Sequence, residues 1–490
     1  MEFPILSVTI FIPLIAGLII LLFGRQKPGW IRPIALAASS LVLLLTLLIW
    51  ASYSIEKAGY QFTEYLPWLP QLGISYHLGV DGIGVAMLVM TGLVVFSGVM
   101  VSWNIDNRPN EFFSYLMFLA TSVLGVFSSL DLFLLFFFLE LAVFPKYLMI
   151  VIWGYPKTRN YGGMKLTLYL FIGSVLALIG ALAIYQASPE KTFDLLLLEN
   201  AGFSVEMQRI WFPFVFLGFA ILGGIFPFHS WAPDGHVAAP TAISMLLAGV
   251  EMKVGVFAAL RVGIMLLPEG ARHWATWIMV LATINVVYGA FIAMIQKDFK
   301  YVIGFSSVSH MGLVLIGFAS LNYNGLLGAG LQMFSHGVMT ALFFSIVGMV
   351  YDRTHTRDIA SLGGLYKVMP WAMVGFIVGG LVSMGMPGLS GFIAEIPIYM
   401  GVWQVAPIVA IISVISIVVT AAYILLVVRK VFFGDLPKEF EGKVKDITVK
   451  DKIVIGLLSL FMIAIGLVPS LMVPLIETGV NHILAILGGA

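Results

Sequence analysis

The sequence predicts an all-α polytopic membrane protein of about 14 transmembrane helices, and three observations predict it. The 490 residues are 60% hydrophobic and only 10% charged, whereas soluble domains run roughly 45–50% apolar and about 25% charged. Mean hydropathy is +1.03, so the main solvent of this surface is lipid. Apolar stretches of about 20 residues, the length that crosses a hydrocarbon core, recur along the chain. Other classes are excluded on the same grounds. A net charge of +1 does not supply the clustered basic surface of a nucleic-acid binder. With no cysteine, the chain holds no disulfide, iron–sulfur cluster or thiolate metal site. No cofactor or metal is expected in this chain, and electrons that move nearby move in a partner.

The expected spans, in order, are 3–23, 31–53, 82–103, 112–129, 131–153, 163–185, 209–228, 244–264, 274–296, 301–320, 326–350, 370–402, 405–428 and 453–476. The first follows Met1-Glu2-Phe3 without a basic leader and reads as an anchor, not a cleaved signal. Between the second and third, Tyr65-Leu66-Pro67-Trp68-Leu69-Pro70 reads as a capping hairpin on the outer face. Two segments are interrupted. From Phe212 to Leu247 the chain carries Pro227, His229, Pro233, Asp234, Gly235, His236 and Pro240. From Pro370 to Trp403 it is too long for one span and is broken by Met386-Pro387-Gly388-Leu389-Ser390-Gly391. Irregular backbone at membrane depth survives only where protein or a water-filled cavity satisfies its polar groups, so each break points to an internal cavity. Residues 429–452, mixing seven basic with five acidic residues, read as a cytoplasmic connection with room for an amphipathic surface helix.

Orientation follows from lysine and arginine. Loops after odd-numbered spans hold nineteen of them, loops after even-numbered spans five, and Lys146 and Lys253 fall inside spans. The odd loops are therefore expected to be cytoplasmic, with both termini outside, in a bacterial inner (plasma) membrane. The two broken segments are the seventh and twelfth, five spans apart. A five-span unit repeated in tandem inserts the second time upside down, and paired broken helices mark inverted-repeat transporters. The chain thus divides into 1–111 (three spans and the outer loop), repeats at 112–264 and 274–428, the connection 429–452, and 453–490 with the last span.

Ionisable groups within spans cost about 2.5–3.5 kcal/mol each on insertion scales, so each is a functional hypothesis. Glu140 lies in the fifth span, Glu251 and Lys253 in the eighth, His310 in Ser307-Val308-Ser309-His310-Met311-Gly312, His336 in Ser335-His336-Gly337, and Glu395 after the second break. His229, Asp234 and His236 flank the first break and either take part or merely stabilise the broken backbone. No close ligand spacing such as HxxxH marks a metal site. One or two titratable groups per span, strung at membrane depth, suit a proton path: burial moves Lys and Glu toward neutrality and His titrates there already. Static ion pairs and satisfied core histidines are the bland alternative.

Pro227-Phe228-His229-Ser230-Trp231-Ala232-Pro233-Asp234-Gly235-His236 with Ala239-Pro240-Thr241 resembles the PxHxWLPDAH…APT signature of antiporter-like complex I subunits. So do Ser307 to Gly312, His336-Gly337, Tyr351 to Asp358 and Gly385-Met386-Pro387-Gly388. The last two, with Gly363-Gly364-Leu365, are most like the chain M type of NADH–quinone oxidoreductase. They are less like its L or N types or the antiporter subunits of Mrp-type complexes. The resemblance covers essentially the whole chain. It implies two inverted five-helix repeats and proton translocation driven by quinone reduction in partner subunits. Those partners would carry NAD, flavin, Fe–S clusters and quinone, with L- and N-type chains as membrane neighbours. Its key groups fall on Glu140, Lys165, Lys253, His310, His336 and Glu395. An Mrp-type antiporter, a hydrogenase-linked pump or a lapsed membrane spacer are the rival readings.

One position departs from that family. A lysine normally stands five residues before the Pro of the PxHxW pattern, where this chain has Leu222, while Lys146 and Glu251 are extra charges. Six helical residues place Lys146 about 9 Å along and about 120° around from Glu140. The expectation is that Lys146 replaces the missing lysine as partner of Glu140, with Glu251 compensating nearby. Lys165 would then link this input-side switch to Lys253, and His310 and His336 would relay to Glu395. The alternative is that Lys146 snorkels to the cytoplasmic edge.

Overall fold

The protein is described by a computed structural model covering residues 3–488. Two helices, α1 (Ile5–Phe23) and α2 (Pro28–Ser52), precede an antiparallel hairpin of β1 (Gln61–Leu69) and β2 (Ile74–Val80). Then come α3 (Gly82–Val101), α4 (Pro109–Ser128), α5 (Leu132–Leu141), α6 (Val143–Trp153), α7 (Arg159–Ala187), the short α8 (Leu195–Glu199) and α9 (Val205–Leu222). After the first break follow α10 (Trp231–Ala238), α11 (Thr241–Leu246) and α12 (Met252–Ala258). These are continued by π turns at Leu247–Glu251 and Ala259–Ile264. The second half runs through α13 (Pro268–Ile295), α14 (Phe299–Ala319), α15 (Tyr323–Thr354), α16 (Pro370–Ser383), α17 (Ser390–Val405), α18 (Pro407–Val427), α19 (Val449–Leu467) and α20 (Val473–Ile486).

Local chemistry sets many of these boundaries. Asp81, Asp131, Ser204, Asp298 and Asn322 cap α3, α5, α9, α14 and α15 by accepting backbone N–H bonds, and Thr448 with Asp451 forms a capping box on α19. Prolines open α2, α4, α13, α16 and α18, where a missing N–H costs nothing. Helices α3, α14, α15 and the α11–α12 segment are buried almost throughout, whereas α1, α2, α7, α13 and α18 leave more than half of the residues in their most apolar stretch unburied. The core is therefore a central group of four segments inside a lipid-facing ring.

Among the described residues, twelve helical segments are long and apolar enough to cross a membrane. The other two expected spans correspond to the broken pair α16–α17 and to α19. Both predicted breaks are present, at residues 223–230 and 384–389. The expected capping hairpin is β1–β2. It grips the start of α1, where Tyr76 Oη lies 2.6 Å from Ser7 Oγ and burial pushes the Tyr76 phenol up to about 12.

Several expectations are corrected. The last span does not run to 476. Val468 precedes Pro469, which disfavours helical backbone before it, so α19 stops at Leu467 and α20 turns away. Helix α20 lies across the hairpin end of the bundle, with Tyr53 Oη 3.0 Å from Thr478 Oγ1 and Tyr323 donating to Glu477 at 2.8 Å. Residues 433–448 hold turns and no surface helix. Arg261, counted as a loop cation, is buried in the second π turn and ion-paired with Asp81. Lys165 stands inside α7. The placement of the chain ends concerns Met1 and Ala490, which lie outside the described residues.

Candidate functional site

The core brings Lys253, His336, His310 and Glu395 together although 142 positions separate the first from the last. Lys253 rises from α12 just after the first π turn. Its Nζ donates to Ala248 O within that turn and lies 2.6 Å from His336 Nδ1 on α15. An ammonium has only donors, so a neutral His336 receives this bond on Nδ1 and carries its proton on Nε2. Among the described residues, His336 Nε2 has no hydrogen-bond partner. The His336 ring stacks on His310 with centroids 5.3 Å apart, and His310 Nε2 is 3.6 Å from Glu395 Oε1.

The geometry fixes where protons sit. His310 Nδ1 is 2.8 Å from Ser306 O, one helical turn back, and a carbonyl only accepts, so Nδ1 is protonated. Its Nε2 faces two further acceptors, Ser383 O at 3.2 Å and Glu395. A second proton on this ring would sit on Nε2, bonded to Ser383 O and within ion-pair distance of the Glu395 carboxylate. Gln332 Nε2 stands 3.4 Å from Glu395 Oε1. Gly385, with φ of +63°, keeps the backbone of the second break close to Glu395 Oε2. Ser306 Oγ bonds Tyr423 Oη at 2.7 Å. All four principal groups are buried. Amine, two imidazoles and carboxylate thus form one acid–base series across α12, α15, α14 and α17.

The groups of the first half do not assemble as expected. Lys146 Nζ is buried and bonds Glu251 Oε2 at 2.7 Å, so it neither snorkels nor meets Glu140. Ala142, the one turn residue between α5 and α6, keeps right-handed helical backbone, so Glu140 and Lys146 stay on the different faces that six residues of helix give them. Glu140 is exposed at the edge of an apolar groove of about 750 Å³ lined by Phe133, Phe136, Phe137, Phe171 and Tyr185. Leu222 is buried. Lys165 pairs with Asp234 at 2.7 Å, and Asp234 also accepts from Tyr301 Oη at 2.9 Å. This pair is tied to the first break and makes no contact with Lys253. His229 stacks on Phe226. His236 is fully buried beside Trp231 and Phe344, and neither of its nitrogens has a partner among the described residues.

Lys300, one of the nineteen cations expected in loops after odd-numbered spans, is buried and donates to Ala239 O at 2.6 Å. With Ser102, Tyr155, Thr241, Asp352 and Arg357 it lines a cavity of about 270 Å³ at the end opposite the hairpin. The signal was legible: Asp298 two residues earlier caps α14 and draws Lys300 into its first turn.

This architecture, with its broken helices and buried acid–base series, defines an antiporter-like polytopic membrane subunit. The chain belongs to the NADH:quinone oxidoreductase/Mrp antiporter transmembrane family, whose pattern matches residues 129–420. It is 35% identical to NADH-quinone oxidoreductase subunit M of Rickettsia conorii over 99% of each chain. To the Rhodobacter capsulatus subunit of the same name it is 34% identical over 98% of this chain and 96% of that one. A chain of respiratory complex I from Thermus thermophilus with bound NADH superposes with a TM-score of 0.91, at 28% identity, over 99% of this chain and 100% of that one. A chain of the Mrp complex from a Dietzia species shares the fold at a TM-score of 0.87 and 18% identity, over 100% of each chain.

Proposed function

We propose that this chain is the M-type membrane subunit of an NADH–quinone oxidoreductase and translocates protons. The observation that carries the reading is the buried series Lys253–His336–His310–Glu395. Its bridging rings can each accept a proton on one nitrogen and release it from the other. Lys253 is the central carrier, the two histidines relay, and Glu395 is the terminal group. His236 and Lys300 lead toward Lys253 from the cavity by Asp352 and Arg357, which we place on the cytoplasmic side of a bacterial plasma membrane.

On this reading the two halves, 112–264 and 274–428, are inverted repeats, as the matching breaks suggest. NAD, flavin, Fe–S clusters and quinone reside in partner subunits, since a chain without cysteine offers no thiolate for a cluster. L- and N-type chains are its neighbours. The subunit M relatives match at full length, which favours this over an Mrp-type antiporter.

The test is proton uptake by the intact complex in proteoliposomes. Lys253→Met and Glu395→Gln each abolish uptake in a complex that assembles. Undiminished uptake in both ends the proposal.

A further inference from the structure

Two charges at membrane depth remain outside the relay. Lys146 and Glu251 are both buried and 2.7 Å apart. Net stability does not explain them: desolvating two charges costs about as much as their attraction returns, and apolar pairs of similar volume commonly serve as well. Their mounting is informative. Lys146 follows both the irregular residue Ala142 and Pro145, which stands in the first turn of α6, where its missing N–H costs nothing. Glu251 closes the π turn Leu247–Glu251, and π turns inside α-helices recur at functional sites. Glu251 thus sits on backbone that departs from the regular helix, while Lys146 is carried by the regular helix that follows Ala142. Glu251 Oε1 has no partner among the described residues, so that oxygen is free to accept a proton.

The same π turn holds the central carrier. Lys253 Nζ donates to Ala248 O, and Ala248 and Glu251 belong to one five-residue turn. A motion that parts Lys146 from Glu251 therefore loosens the turn that supplies Lys253 with its carbonyl. It also leaves an uncompensated carboxylate two residues from the amine.

We propose that the Lys146–Glu251 ion pair is a charge latch on the π turn, which decides whether Lys253 Nζ keeps Ala248 O as its second partner or is left on His336 Nδ1 alone. Closed, the pair cancels its own field and holds the turn. Open, it presents the Glu251 carboxylate to the segment bearing Lys253. Lys146 and Glu251 are positioning residues, and the inference rests on the carrier role of Lys253 proposed above.

The test uses the intact complex in proteoliposomes, reading proton uptake and quinone-linked NADH oxidation together with assembly on native gels. Lys146→Met and Glu251→Leu each slow uptake about tenfold or more, because each leaves one buried charge alone. The deciding variant carries both substitutions. It restores an uncharged, well-packed site and assembles normally, yet stays at least about fivefold slow because the latch is gone. Full uptake in this double variant would make the pair merely structural and overturn the proposal. Glu251→Asp keeps the charge and shortens the reach by one methylene. It assembles and is slowed, and a rate equal to that of the natural chain counts against the latch in the same way. Lys253→Met separates the two readings: if that variant still pumps, the carrier role fails however the pair behaves.

Discussion

Lys253 Nζ is held between His336 Nδ1, at 2.6 Å, and the carbonyl of Ala248, so the central amine has one titratable neighbour and one that cannot titrate. His336→Gln tests which neighbour matters. The amide oxygen accepts from Lys253 but relays no proton, and a bond to a charged group is worth about 1.5–3 kcal/mol, so His336→Leu removes both functions. Both variants are expected to lose proton uptake about ten- to a hundredfold, with Leu also lowering the thermal stability of the complex. Near-normal uptake in the Gln variant would show that the imidazole only packs.

Glu395 accepts from Gln332 and faces His310. Glu395→Gln preserves shape and removes the proton site, so uptake falls at least about a hundredfold while assembly is kept. Gln332→Leu withdraws one weak 3.4 Å bond and is expected to slow uptake only about threefold. Comparing both variants at one expression level checks the order of the two effects.

The fold was legible in the sequence wherever hydropathy or backbone chemistry decides it. Runs of apolar residues located the spans, and Pro–Gly clusters located both breaks. Of the site, the series from Lys253 to Glu395 was legible as residues because a charge at membrane depth is costly on any helix face. Pairing was not. The expected meeting of Lys146 with Glu140 needed the Pro145 kink to bring together two groups about 120° apart, whereas Lys146 keeps its own face and meets Glu251, a partner 105 residues away. Helix α20 escaped notice because its apolar face is short and packs on protein at the hairpin end. Arg261, one of the five cations expected in loops after even-numbered spans, escaped notice because its partner Asp81, the cap of α3, is brought to it only by the fold.

The Asp81–Arg261 pair is a stability element. Both side chains are buried, Asp81 also caps α3 through Gly84 N, and Arg261 bonds Tyr60 Oη at 3.1 Å. Breaking a buried pair on one side leaves the other charge alone, at about 3–5 kcal/mol. Arg261→Met is therefore expected to lower the amount of assembled complex several-fold and to make the hairpin end protease-sensitive. The double variant with Asp81→Asn, which keeps the cap oxygen, recovers much of the loss. Quantitative immunoblots of membranes report both numbers.

The tightest backbone approach in this region gives the last prediction. An ideal Cβ on Gly82 would stand 1.6 Å from Leu475 O and 2.5 Å from Thr478 Oγ1. The first of these is backbone and cannot rotate aside. Gly82→Ala therefore has to push α20 off the start of α3, which breaks the Tyr53–Thr478 bond and opens the packing of Gly479 over Asp81. Overpacking of this kind costs about 1–3 kcal/mol. The loss is local, because α20 packs near the starts of α3 and α15 and does not enter the middle of the bundle. The expected result is faster proteolysis between Leu467 and Val473, with the core unaffected and proton uptake reduced by less than about twofold. Gly29→Ala is the control: it lies in the first turn of α2 with nothing within 4 Å, and alanine there is neutral or mildly stabilising. Equal proteolysis of the two variants would mean that α20 is not clamped on Gly82.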